Sequence, residues 1–216
     1  MPLLKIKALN KNTTLYVWKI TESFDELFHS VALKDISLAR LEGMKAESHQ
    51  KGFLSVRRLL MEAGYTDFDL YYDTFGKPHL TDGKHISISH SHDFSVIVIS
   101  QENIGADLEL LKEKTLKLAP RFMDVTHLKG LSEADSLQKA TVVWGIKESV
   151  FKIKNEVGIS FKDHIFESDF NLKDKQCKVT LRFNNKEDYF DVLFDFIEDY
   201  VFVCAFNSVS LSDVIG

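Results

Sequence analysis

Cysteine, proline and long apolar runs are all scarce in this chain, and each scarcity excludes something. Its 216 residues include 2 cysteines, Cys177 and Cys204, far apart and without a CxxC spacing. That argues against a zinc cluster and a disulfide scaffold, and fits a reducing compartment. Cys204, within YVFVCAF, reads as a small buried hydrophobe. With 3 prolines, 44% hydrophobic and 27% charged residues, no room is left for a long disordered tail. No segment reaches the roughly 18 apolar residues that a membrane span needs. The opening MPLLKIKALNKNTT lacks an uninterrupted apolar core of signal-peptide length. These absences predict a cytoplasmic protein with no membrane partner. A basic excess is missing too: the formal charge is −5, which argues against a chain built mainly to hold nucleic acid.

What is present is ordered punctuation. TTLYVWKI (13–20) predicts a strand, and residues 22–32 and 36–63 predict helices, the second stopping near Gly64. FDLYYDTFGKPHL changes register to a short strand and a Gly-Lys-Pro turn. HISISH alternates like a half-buried strand, and FSVIVIS (94–100) returns from it. IGADLEL (104–110) predicts a further strand. Residues 116–154 are largely helical with a turn around KGLSEAD, and CKVTLRF, YFDVLFDFI and YVFVCAF close the chain strand after strand. Helices and an antiparallel hairpin in each half predict an α+β fold of two similar lobes meeting near Asn103, 1–103 and 104–216.

Several residues are candidates for chemistry. Asp107 and Glu109, two apart on a predicted strand, face one side. Adjacent like charges are unfavourable unless a cation lies between them, and hard oxygen donors suit magnesium. An exposed polar strand face is the plainer alternative. In WGIKESVFKI (144–153), Glu148 and Lys152 share a helix face. They read either as a surface ion pair or as a third carboxylate with a cation beside it, while Trp144 and Phe151 read as core. SHSH (89–92) has too few partners for zinc and lacks the glycines of a nucleophile elbow. Ser89 and His90 then mark either an ordinary turn or a phosphate contact. In FGKPHL, Gly76 allows close approach, Pro78 stiffens the turn and Lys77 projects from it, as in a phosphate loop or a plain one. KGFLSVRRLL carries Lys51, Arg57 and Arg58 on one helix, either solvated or within reach of a phosphate.

Singly these signals are weak; in series they are specific. FGKPHL, SISHS, IGADLE and WGIKESVFK follow the order and spacing of the motifs of the Sfp-type 4′-phosphopantetheinyl transferases, which the chain resembles from residue 76 to 152. The helix around Lys51–Arg58 resembles that family's basic helix, and VGISF (157–161) the stretch that usually follows. The resemblance implies two pseudo-twofold-related lobes, each an antiparallel-rich sheet packed against helices, in a monomer. It implies that the N-terminal lobe contacts the coenzyme A nucleotide and that the C-terminal lobe holds the metal and docks the carrier. Asp107, Glu109 and Glu148 would hold one Mg2+, or Mn2+, with the pyrophosphate of coenzyme A. The implied reaction moves the 4′-phosphopantetheine arm onto a serine of an apo acyl or peptidyl carrier protein and releases adenosine 3′,5′-bisphosphate. Glu148 would take the serine proton, directly or through a water, and Lys152 would serve the leaving phosphate. His90, Ser89, Gly76, Lys77, Pro78, Arg57 and, less directly, Lys51 and Lys45 would bind coenzyme A.

The chain departs from the family pattern at two points, the lesser being Ala106 in place of a commoner branched residue. Where relatives often read F-F-x-x-x-E, RFMDVTHLKGL offers His127. Carrier proteins are typically acidic, so a net-negative enzyme needs a local basic patch; Lys112 and Lys117 in LLKEKTLKLAPR are the expected docking residues. Two rival readings are a metal-dependent phosphodiesterase or nuclease, the latter disfavoured by the acidic balance, and a degenerate relative that binds coenzyme A or carrier protein without transfer.

Overall fold

The computed structural model describes residues 3–208. The chain consists of two compact units, Met1–Glu102 and Asn103–Gly216. Each is an antiparallel sheet with helices packed on it, the α+β architecture expected from the alternation of patterns.

In the first unit a hairpin of β1 (Leu3–Asn10) and β2 (Thr13–Lys19) precedes three helices: α1 (Phe24–His29), α2 (Asp35–Glu42) and α3 (Glu47–Glu62). Then come β3 (Leu70–Tyr72), β4 (Pro78–Leu80), β5 (His85–Ser91) and β6 (Phe94–Ser100). The six strands lie in the order β1-β2-β6-β5-β4-β3, all pairs antiparallel. The inward face of α3 supplies Leu54, Leu59 and Leu60, all fully buried, to a core shared with Trp18, Ile86 and Ile97. A capping box starts α1: Ser23 Oγ accepts the Glu26 N–H while the Glu26 carboxylate accepts the Ser23 N–H.

Several features differ from the sequence expectation: residues 119–128, expected to be largely helical, form only 3-10 turns and loop, a short strand at Ile165–Glu167 was not expected, and two more lie in the first unit. The strand β1 was not anticipated, because most of its residues are exposed and its hold on the fold is pairing with β2 rather than an apolar face. The helix expected over 36–63 is two helices. The first ends at Gly43, and α3 starts after Ala46 with extended backbone.

In the second unit β7 (Ile104–Leu110) leads to α4 (Glu113–Leu118), two 3-10 turns (Ala119–Arg121 and Val125–Leu128) and the long α5 (Glu133–Lys154). The chain continues through α6 (Phe161–His164), β8 (Ile165–Glu167), β9 (Gln176–Phe183), β10 (Lys186–Ile197) and β11 (Tyr200–Asn207). Sheet order is β7-β11-β10-β9-β8, so β7 and β8 are its two edges. Ser132 caps α5 by accepting the Asp135 N–H, and Asn155 ends it in the left-handed region at φ 51°. Val142, Val143, Ile146 and Val150 of α5 pack with Val179, Val192 and Val203 of the sheet. Among the described residues no helix is long and apolar enough to cross a membrane.

Candidate functional site

On β7, Asp107 and Glu109 share a strand face, and α5 lies close against that strand. Two glycines permit the closeness. A Cβ on Gly105 would fall 1.9 Å from the Ser149 carbonyl oxygen, and one on Gly145 would fall 2.6 Å from Val203 Cγ2. The same Gly145 position lies 3.8 Å from Asp107 Oδ2, so the helix backbone passes beside the carboxylate. Lys152 Nζ donates to Asp107 Oδ1 at 2.8 Å and to the Ala106 carbonyl at 2.9 Å. Trp144 Nε1 donates to Glu109 Oε1 at 3.0 Å.

The electrostatics follow from this crowding. Burial, then the neighbouring Asp107 and Glu148, push the Glu109 carboxyl up to about 7 against the opposing effects of the Trp144 hydrogen bond and Lys152. Burial and Asp107 also raise Glu148, with Lys152 opposing. Three carboxylates therefore lie within each other's field, with one ammonium among them.

This donor set fits a hard divalent cation in kind, since all-oxygen ligands that repel one another are stabilised by such an ion. Among the described residues, however, no three His, Cys, Asp or Glu side chains converge as a finished metal site. At Asp107 Oδ1 the cation present is the Lys152 ammonium.

The first unit places its candidates at separate points. Gly76 adopts φ +81° in a turn organised by Asp73, whose Oδ1 accepts the N–H groups of Phe75 and Lys77 at 2.9 Å each. His79 Nε2 lies 3.1 Å from the other Asp73 oxygen. Burial lowers Lys77, with Asp73 opposing, and Pro78 opens β4. Ser89 and His90 lie near the end of β5, and the His90 ring packs on α3 where Gly52 has no side chain. A depression of about 210 Å³ beside it is lined by Ser48, His49, His90, Ser91 and His92. Lys51 is half-buried on α3. Exposed Lys45 lines a shallow hollow with Ser23, Asp25, Glu47 and Gln50.

Arg57 points inward. Its Nε donates to Asp67 Oδ1 at 2.9 Å, its guanidinium stacks 3.4 Å from the Phe53 ring centre, and it is 3% exposed. Asp67 also accepts the Ser37 hydroxyl and the Lys34 N–H. Lys112 and Lys117 are exposed at the two ends of α4.

Asp73, Trp144 and Gly145 have roles at these points that their place in the sequence motifs does not state. The D-x-F-G spacing at 73–76 was a usable Asx-turn signal; nothing local marked Trp144 as the donor to Glu109, 35 residues away.

A D-x-E strand closed by a K-E-S-x-x-K helix is the feature on which the resemblance to Sfp-type 4′-phosphopantetheinyl transferases rests, and comparison with known proteins bears that resemblance out. The chain is 31% identical over 81 residues to 4′-phosphopantetheinyl transferase gsp of Aneurinibacillus migulanus, covering 36% of this chain and 34% of that protein. It is 31% identical over 91 residues to 4′-phosphopantetheinyl transferase Sfp of Bacillus subtilis (strain 168), covering 39% and 41%. A further Bacillus subtilis 4′-phosphopantetheinyl transferase is 31% identical over 83 residues, covering 36% and 37%. The chain thus spans between a third and two fifths of the length of the curated relatives it matches. No family model matches it.

Proposed function

We propose that this chain is a cytoplasmic, monomeric transferase that moves the 4′-phosphopantetheine arm of coenzyme A to a serine of an apo acyl or peptidyl carrier protein, with Mg2+ or Mn2+ bound. The observation that carries this reading is the packing of β7 on α5, which gathers Asp107, Glu109, Glu148 and Lys152 into one field of charge. The names of the three relatives point the same way.

In this reading the serine oxygen forms a bond to the β-phosphorus of coenzyme A. The bond from that phosphorus to the bridging oxygen breaks, and adenosine 3′,5′-bisphosphate leaves. Asp107, Glu109 and Glu148 would hold the divalent cation, which supplies charge neutralisation at the phosphate oxygens. Glu148 accepts the serine proton, directly or through a water. Lys152, held at Asp107 Oδ1 and the Ala106 carbonyl, would offset charge on the leaving phosphate. Trp144 holds Glu109 in place from outside the reacting atoms.

Residues 1–103 are assigned the nucleotide and 104–216 the metal and the carrier. Gly76, Lys77, Pro78, Ser89, His90, Lys51 and Lys45 are the coenzyme A contacts. Arg57, paired with Asp67, supports α3 from inside.

The test is the intact mass of an apo carrier protein after incubation with this chain, coenzyme A and Mg2+. A gain of one phosphopantetheine unit, abolished by chelator and by Asp107→Ala, is the expected result. Full transfer by Asp107→Ala would overturn the metal assignment. No gain on acyl and peptidyl carriers alike would leave a protein that binds coenzyme A or carrier without transfer.

A further inference from the structure

Helix α5 crosses the second sheet and is fastened to both of its edge strands. At the β7 edge the fastener is Lys152, on Ala106 O and Asp107 Oδ1. At the β8 edge it is Lys147, whose Nζ donates to the Ile165 carbonyl and to Glu167 Oε2. Lys147 and Glu167 have side chains 2% and 4% exposed, so this is an interior ion pair. Neither member stands alone against burial. His127, from the 3-10 turn Val125–Leu128, has its Nδ1 3.6 Å from Glu167 Oε1, beyond hydrogen-bond reach but beside the second carboxylate oxygen.

Five residues separate Lys147 from Lys152, which is roughly 140° around a helix turning about 100° per residue. The two ammonium groups therefore reach to opposite sides of α5, and Glu148 sits between them in sequence. The apolar face of α5 seats the helix on the sheet; an anchor at each edge, rather than at one, limits the roll that this packing still allows. The direction in which Glu148 projects, toward Asp107 and Glu109, is set by that roll.

We propose that Glu167 is a positioning residue for the β7–α5 site: through Lys147 it fixes the roll of α5 and hence the placement of Glu148. Where the resemblance leads one to expect an acid in the Phe122–His127 stretch, this chain has a histidine that lies beside a β8 carboxylate.

The activity arm of the test rests on the transferase reading; the structural arm does not. Glu167→Gln keeps the shape and removes the charge. Lys147→Met/Glu167→Gln removes both charges, in case the single variant, left with a buried ammonium, fails to fold. Each full-length chain is assayed for kcat and KM for coenzyme A, and for amide hydrogen exchange.

For the single variant, or for the double if the single does not fold, kcat should fall roughly 10–100-fold, the scale on which a small misplacement of a reacting group costs rate. KM for coenzyme A should stay within about twofold, and exchange should quicken across residues 143–152 while β9–β11 keep their protection. Parental kcat and parental exchange in a folded variant would overturn the proposal. So would faster exchange spread evenly over the second unit, which is what mere loss of stability produces. Absence of transfer by the unaltered chain would count against the transferase reading, and the exchange comparison would still decide whether Glu167 fixes α5.

Discussion

Arg57 carries its charge into the first unit with Asp67 as counter-ion, and the Phe53 ring, the Ser37 hydroxyl and the Lys34 N–H complete the surroundings. A buried pair of this kind adds little over apolar residues of the same size, because desolvation offsets the attraction. Breaking it is another matter, since the surviving ion stays buried. Asp67→Asn should therefore destabilise the chain by about 3–5 kcal/mol in urea denaturation. Its neighbour Arg58, whose pair with Glu62 is partly exposed at 3.5 Å, should cost under about 1 kcal/mol when Glu62 is neutralised. Equal effects at the two positions would show that Arg57 is not an interior ion. Nothing in RRLL distinguishes the two arginines except the helical phase, which turns Arg57 inward with Phe53 and Leu60.

At the scale of elements, the contact between β7 and α5 decides whether the carboxylates meet. Gly105→Ala introduces a methyl 1.9 Å from the Ser149 carbonyl oxygen, a backbone atom that yields only if α5 moves. Overpacking of this sort costs about 1–3 kcal/mol or more. At Gly145 two effects oppose. Alanine is favoured over glycine in a helix interior by about 0.8–1 kcal/mol, yet its Cβ would lie 2.6 Å from Val203 Cγ2. The clash with Val203 outweighs the gain in helix propensity, so Gly145→Ala should lower the melting temperature rather than raise it, and Gly105→Ala should lower it further. A rise at Gly145 would mean that the helix and β11 stand further apart than described.

At the scale of the whole molecule, the net charge of −5 bears on any acidic macromolecular partner. Lys112 and Lys117 are exposed on α4, and the pair of Lys117 with Glu113 is loose at 3.8 Å. If carrier protein docks here, Lys112→Glu/Lys117→Glu should slow its modification several-fold at low salt. The deficit should shrink as ionic strength approaches 0.15 M, where the screening length is about 8 Å. Unchanged rates at low salt would discard the patch.

The sequence by itself determined the elements whose periodicity is strong and local. Alternation in HISISH marked β5, the apolar run in FSVIVIS marked β6, the closing strands stood out by β-branched and aromatic content, and the D-x-E and K-E-S-x-x-K spacings marked β7 and α5. It could not show β1, which is held by pairing rather than by an apolar face, or the break at Gly43–Ala46 inside a continuous helical pattern. Tertiary structure alone decided the partners. Arg57 finds Asp67 10 residues on, Lys147 finds Glu167 20 residues on, and Trp144 finds Glu109 35 residues back. Local propensity acts over a few residues, whereas a side chain's counter-ion is fixed by which elements pack together, and that is settled only when the sheet and α5 close on each other.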